Sequence, residues 1–152
     1  MKKRILFLFI FVGFSAVLFS QETHDGWQND YDEAVKIAKN EKKPILIFFT
    51  GSDWCGPCKM LMSDFFQSSK FKSIAAENFV LYEADFPKNT DLLTPQKRKK
   101  NYYLGGLYDV KSYPTIVIID SDGTQLGRRK GYNLMRDSSY HFKLIEQTLS
   151  KI

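Results

Sequence analysis

Cysteine and histidine are nearly absent: the 152-residue sequence holds two of each. Two cysteines cannot staple a disulfide-dense mini-protein. Proline, at 5 residues, and glycine, at 9, are too sparse for a collagen-like or low-complexity chain, and no heptad run or longer internal repeat is present. A large charge of one sign is also missing. The formal charge is +5, but Lys2, Lys3 and Arg4 belong to a leader-like segment; without them, 19 of the 22 basic residues face 17 acidic ones. That balance gives no ground for a nucleic-acid partner, which would need a basic face. The longest hydrophobic run, residues 5–19, is shorter than the ~20 residues a membrane-spanning helix requires. Apolar residues are plentiful at 43% and aromatics at 15%, enough core for one domain that folds without cross-links.

The first 20 residues read as an export signal: a basic start, the apolar run, and small Ser20 before polar Gln21. Cleavage is expected after Ser20, leaving residues 21–152 as one domain outside the cytoplasm, periplasmic or secreted. An uncleaved signal is the only membrane attachment the sequence offers. A compartment beyond the cytoplasm is one in which disulfides persist.

In the remaining chain, residues 30–40 read as a helix capped by Asp30, with Glu33 as its capping-box partner and Lys42-Lys43-Pro44 as its stop. Residues 45–49, all β-branched, leucine or phenylalanine, read as a strand buried on both faces. Helices are expected from Cys58 onward and over residues 71–77, and a strand over 79–84. Residues 85–101 read as the least structured stretch. Their run Lys97-Arg98-Lys99-Lys100 reads as a solvated loop or helix face. A short helix over 102–108, a strand over 115–119, a turn at Ser121-Asp122-Gly123-Thr124, a strand over 125–130 and a last helix capped by Asp137 or Ser138 complete the order. This succession predicts an α/β fold with a central mixed sheet and helices on both faces.

Both cysteines fall in Trp54-Cys55-Gly56-Pro57-Cys58-Lys59, between a buried strand and a helix. Three readings compete. A structural staple closing so short a loop contributes only about 2 kcal/mol, against about 3 for a fifteen-residue loop. A structural zinc site needs four ligands, so His24 in the tail and His141 on the last helix would have to converge; each reads instead as a surface or half-buried residue. A dithiol/disulfide redox couple fits the position. Cys55 precedes a helix start, where free N–H groups and the dipole stabilise a thiolate, and Cys58 lies one turn further in. Pro57 suits a first helical turn.

This motif is identical in type to the active site of the thioredoxin family, which the chain resembles from about Trp27 to its end. Tyr113-Pro114-Thr115 resembles the family's cis-proline segment, and Gly131 the glycine that leaves room for substrate. Trp27, Lys43-Pro44, the stretch from Phe49 to Cys55, and Asp85-Phe86-Pro87 resemble a branch of exported bacterial thioredoxin-like proteins. The resemblance implies a thioredoxin-like fold and a thiol–disulfide oxidoreductase in which Cys55 attacks and Cys58 resolves. Trp54, Gly56, Pro57, Tyr113, Pro114 and Gly131 then form the substrate surface, and the redox-active Cys55–Cys58 pair replaces any cofactor or metal. The Gly-Pro dipeptide resembles that of reducing members, with a potential near −270 mV. A monomeric reductase of disulfides in exported proteins, recharged by a membrane electron donor, is the first expectation. A disulfide oxidase or isomerase, a dedicated electron-transfer partner (for cytochrome maturation, for example) and a non-catalytic binding module are the alternatives. Two departures stand out. The family's buried aspartate has no counterpart in residues 45–49, where only the loop acid Asp53 lies near, and its buried lysine is missing from residues 79–84, whose one ionisable carboxyl is Glu83. Residues 86–109 read as an insertion, either a partner-docking element or a longer surface loop.

Overall fold

Strands of almost purely apolar residues can be covered on both faces, and the centre of this protein is built that way. The computed structural model describes residues 24–152; the expected signal segment and its cleavage site lie outside the described residues. The strands are β1 (Trp27–Gln28), β2 (Ile45–Thr50), β3 (Val80–Asp85), β4 (Thr115–Ile119) and β5 (Gln125–Lys130). They form one sheet in the order β1-β3-β2-β4-β5. β3 runs parallel to β1 and β2, whereas β4 is antiparallel to both β2 and β5.

Alternation along the strands sorts the core into two layers. Leu46, Phe48, Leu81, Ile116 and Ile118 face one side, where α2 (Gly56–Leu61), α3 (Ser69–Asn78) and α5 (Ser139–Leu149) pack. Ile45, Ile47, Phe49, Tyr82, Val117 and Ile119 face the other, under α1 (Tyr31–Glu41) and α4 (Pro95–Leu107). The expected mixed sheet with helices on both faces is thus observed.

Local signals hold where capping chemistry is strong. The Asp30 side chain accepts the Glu33 N–H at 2.9 Å, and Ala34 and Ala38 are the buried positions of α1. The helix ends as Lys42 turns left-handed at φ 54°, ahead of the proline. The expected helix from Cys58 starts earlier, at Gly56, and continues from Leu61 into a single wide π turn, Met62–Phe66, that buries Phe65 and Phe66.

Two expectations are corrected. Residues 85–101 are not the unstructured part of the chain: α4 begins at Pro95, with the Thr94 hydroxyl accepting the Lys97 N–H at 3.2 Å. The segment 86–109 carries this helix onto the sheet, so it is part of the core and not merely a long surface loop. Asn101 is fully buried, accepting from the Tyr82 hydroxyl at 2.6 Å and donating to the Asp85 carbonyl at 2.8 Å. Lys100 bridges to Asp32 of α1 at 2.7 Å. His141 is likewise no surface residue. It is 3% exposed, packed against Phe65 and Tyr132, and α5 buries His141, Leu144, Ile145 and Thr148.

These buried polar groups yield two predictions. Asn101→Ala leaves the Tyr82 hydroxyl and a strand carbonyl unpaired inside the core, and should destabilise by roughly 1–3 kcal/mol, read as a lower urea midpoint at constant m. Burial, aided by the nearby Arg129, pushes the His141 imidazole down to about 4 from its ordinary value of 6.5. The unfolded chain therefore takes up a proton that the folded chain refuses. Stability should fall as pH drops from 6.5 to 4, and His141→Gln should flatten that limb in pH-dependent urea melts.

Candidate active site

The chain leaves β2 at Thr50 and turns at once into α2. The Gly51 carbonyl accepts the N–H groups of Trp54 at 3.2 Å and Cys55 at 2.8 Å, which rolls the backbone so that Cys55 becomes the helix N-cap. Its Sγ accepts the Cys58 N–H at 3.3 Å. Gly56 and Pro57 fill the first turn, where the missing proline N–H leaves no carbonyl unserved. Cys55 and Cys58 form a disulfide. Cys55 is 4% exposed; Cys58, at 1%, belongs to the apolar cluster of Phe48, Leu61 and Phe65.

Three side chains tie this loop to the end of β3. Asp85 accepts the Ser52 N–H at 2.8 Å and the Ser52 hydroxyl at 2.6 Å. Asp53 accepts the N–H groups of Lys88 at 3.0 Å and Asn89 at 2.8 Å. The Trp54 indole donates to the Phe86 carbonyl at 2.8 Å. These bonds join the loop after β2 to the segment Asp85-Phe86-Pro87 and the residues just beyond it. They also settle the part played by Asp53: it is an exposed loop clamp, held below the usual carboxylate range by the backbone N–H groups of Asn89 and Lys88, and not a buried base.

The Tyr113–Pro114 bond is cis. Tyr113 meets the Trp54 ring edge-on at 5.7 Å, and Phe86 lies 5.2 Å from Tyr113. The Pro114 carbonyl accepts the Gly131 N–H at 2.7 Å, and Gly131 takes φ +75°, a conformation open to glycine, with free space where a Cβ would point. The loop beyond Gly131 is anchored by Asp64, which accepts from the Tyr132 hydroxyl at 2.8 Å and pairs with Arg136. The Arg136 guanidinium holds the Asp64 carboxyl down at about 2.

Beneath Cys58, a cleft of about 300 Å³ is lined by Cys58, Lys59, Thr50, Phe48, Glu83 and His24, among others. Glu83 shares the face of Leu81 and pairs in register with Phe48. Burial raises its carboxyl to about 7; Asp85 adds to the shift and Lys97 offsets it. His24 Nε2 lies 3.7 Å from Glu83 Oε2.

The sequence profile of the thioredoxin-like domain matches residues 31–138. The chain belongs to the thioredoxin-like family. It is 40% identical over 102 residues to "Disulfide bond reductase DsbH" of Chlamydia pneumoniae, an alignment covering 67% of this chain; the chain spans 60% of that relative's length. It is 26% identical over 102 residues to "Thioredoxin-related protein DsbJ" of the same organism, of which the alignment covers 29%, and 67% of this chain. Among solved structures, "DsbH Oxidoreductase" superposes with a TM-score of 0.70 at 33% identity, covering 88% of this chain and 94% of that one. A thioredoxin from Thermus thermophilus shares the fold, with a TM-score of 0.61 at 19% identity over 80% of this chain and 85% of that one.

A thioredoxin-like domain with a bonded Cys55–Cys58 pair is chemically equipped for thiol–disulfide exchange through that pair. Trp54 and Tyr113 come into direct contact, and through them the dithiol segment meets the Pro114 segment; Gly131 joins by its bond to Pro114. Gly56 and Pro57 serve the helix turn. Sequence reasoning missed Gly51, Ser52 and Asp85, whose signal was available only as the paired motifs, and it left Glu83 without a place. His24 and His141 do not come together: His24 lines the cleft that Cys58 and Glu83 share, whereas His141 sits against Phe65 and Tyr132.

Gly51 is the least forgiving of these positions. A Cβ there would clash with Cε2 of the Trp54 indole and come within 2.5 Å of its Nε1. Gly51→Ala should therefore displace the indole, break its bond to Phe86, shift the Trp54 fluorescence to the red, and destabilise by about 1–3 kcal/mol in a denaturant melt.

Proposed function

We propose that the protein reduces disulfides of exported proteins. Cys55 attacks a substrate disulfide, a mixed disulfide forms, and Cys58 displaces the reduced substrate to close the Cys55–Cys58 bond. The observation that carries the reading is the N-cap position of Cys55 beside cis-Pro114. An N-cap sulfur receives backbone N–H groups that stabilise the thiolate, which is the attacking species. Pro114 and Gly131 border the channel for substrate backbone, and Trp54 with Tyr113 forms its aromatic wall.

The direction of electron flow draws on two supports: the Gly-Pro dipeptide between the cysteines, and the disulfide-reductase name of the 40%-identical Chlamydia relative. Export rests on the pattern of residues 1–20. Work as a reductase in an oxidising compartment needs continual recharging, so a membrane dithiol donor is part of the proposal, and the domain acts as a monomer on protein substrates.

Equilibration of the purified protein in glutathione buffers tests the direction. A potential near −270 mV supports the reductase; one above about −200 mV means that the protein delivers or reshuffles disulfides. Insulin reduction with dithiothreitol should be accelerated by the wild type, and Cys55→Ser should bring it down to the rate with dithiothreitol alone. Cys58→Ala should trap substrates covalently on Cys55.

A further inference from the structure

We propose that Glu83 accepts the thiol proton of Cys58 during resolution and exchanges it with solvent through His24. The inference rests on the order of attack stated above, with Cys58 as the resolving thiol. For resolution, the Cys58 Sγ–H bond must break before sulfur can attack. The thiolate then bonds to Cys55 Sγ, the bond from Cys55 to the substrate sulfur breaks, and the substrate leaves as a thiolate that takes a proton from water. The proton lost by Cys58 needs an acceptor inside the protein, because Cys58 is 1% exposed.

The cleft beneath Cys58 supplies one. Its ionisable lining, apart from Cys58 itself, is His24, Lys59 and Glu83. Lys59 is a cation whose Nζ already donates to the Asp53 carbonyl at 3.3 Å, so it cannot receive a proton. Asp53 and Asp85, the acids of the neighbouring loop, are occupied as clamps. Glu83 remains. Its strand alternation aims it at the layer that holds Cys58, and its partner in register, Phe48, puts no competing acid on β2. With about 300 Å³, the cleft has room for water to connect the two groups.

The groups facing Glu83 are His24 from the segment before β1, Asp85 from its own strand, Lys97 from α4 and Lys59 across the cleft. Burial leaves the carboxyl balanced near neutral pH, where an acceptor can both take and release a proton. His24 completes the route: its side chain is 46% exposed on one side and 3.7 Å from Glu83 on the other.

The test is single-turnover reduction of oxidised glutathione by the reduced protein between pH 5.5 and 9, with acid quenching and mass spectrometry of the Cys55 mixed disulfide. Wild-type resolution should rise with an inflection near pH 7. Glu83→Gln should abolish the inflection and slow resolution at pH 7 by roughly 10-fold or more, so that the mixed disulfide accumulates, while its formation is unaffected. Glu83→Asp should restore part of the inflection, and His24→Gln should slow resolution less than Glu83→Gln. A purely structural Glu83–His24 pair would leave the pH profile of resolution in place, and that result in Glu83→Gln overturns the proposal. If Glu83→Gln does not fold, an unchanged profile in Glu83→Met, with an unchanged resolution rate in His24→Gln, overturns it equally. Failure of the underlying order of attack looks different: the glutathione adduct is then found on Cys58 in the wild type, and the proposal falls with it.

Discussion

Two carboxylates, Asp85 and Asp53, hold the loop that presents the disulfide. β2 and β3 run parallel, so their C-terminal ends emerge side by side, and Asp85 at the end of β3 can reach Ser52 just beyond the end of β2. Asp53 returns the link to Lys88 and Asn89. Of the two, Asp85 carries more weight. It is 8% exposed and makes charge-assisted bonds out of water, whereas the bonds of Asp53 compete with solvent. With the loop fixed at both ends, the Gly51 carbonyl sits where it can gather the N–H groups of Trp54 and Cys55, and the helix start follows. A disulfide-bearing N-cap without this clamp would sit on a free loop, and the attacking sulfur would have no fixed bearing on cis-Pro114.

The clamp also accounts for the position of α4. Asp85 uses its side chain for the loop and its backbone carbonyl for Asn101, so one residue joins the active-site loop to a helix on the opposite face of the sheet. Phe86, next in sequence, gives its carbonyl to Trp54 and stacks its ring near Tyr113 and Tyr102. The segment that reads as an insertion is in this sense the back wall of the site.

β2 and β4 were legible in the sequence because each holds an unbroken apolar run, a pattern suited to a doubly covered sheet, and β3 follows it apart from its acids. The redox motif was legible for a different reason: the only two cysteines stand three apart at a helix start. Of α4 only the second half was legible, as the helix over 102–108, because its buried positions are just Asn101 and Leu104 and its first half is a basic run, so no apolar period marks it. The Thr94-Pro95 cap was the available signal. His141 was misplaced because the rings that bury it, Phe65 and Tyr132, come from distant segments. Glu83 was visible only as an odd acid in an apolar strand. Its alternation with Leu81 already put it on the disulfide side, but nothing in the sequence showed that a cleft joins it to Cys58.

The same arrangement makes the two sulfurs unequal. Cys55 Sγ receives a backbone N–H at the positive end of a helix, a setting that favours negative charge. Cys58 Sγ lies among Phe48, Leu61 and Phe65, a setting that favours the neutral thiol. On the mechanism proposed above, charge would rest on Cys55 in the reduced protein, and Cys58 would shed a proton at the moment it acts. A substrate lying against Trp54, Tyr113 and Pro114 would cover the outer face of Cys55 and close that side to water. The cleft lined by Ser52, Lys59, Glu83 and His24 includes none of these three residues and draws its walls from β2, β3, α2 and the segment before β1. On the mechanism proposed above, the proton of Cys58 would leave through this cleft rather than past the substrate. An acid on β3, beside Phe48 in register, would then let the resolving thiol discharge its proton while the substrate is still bound.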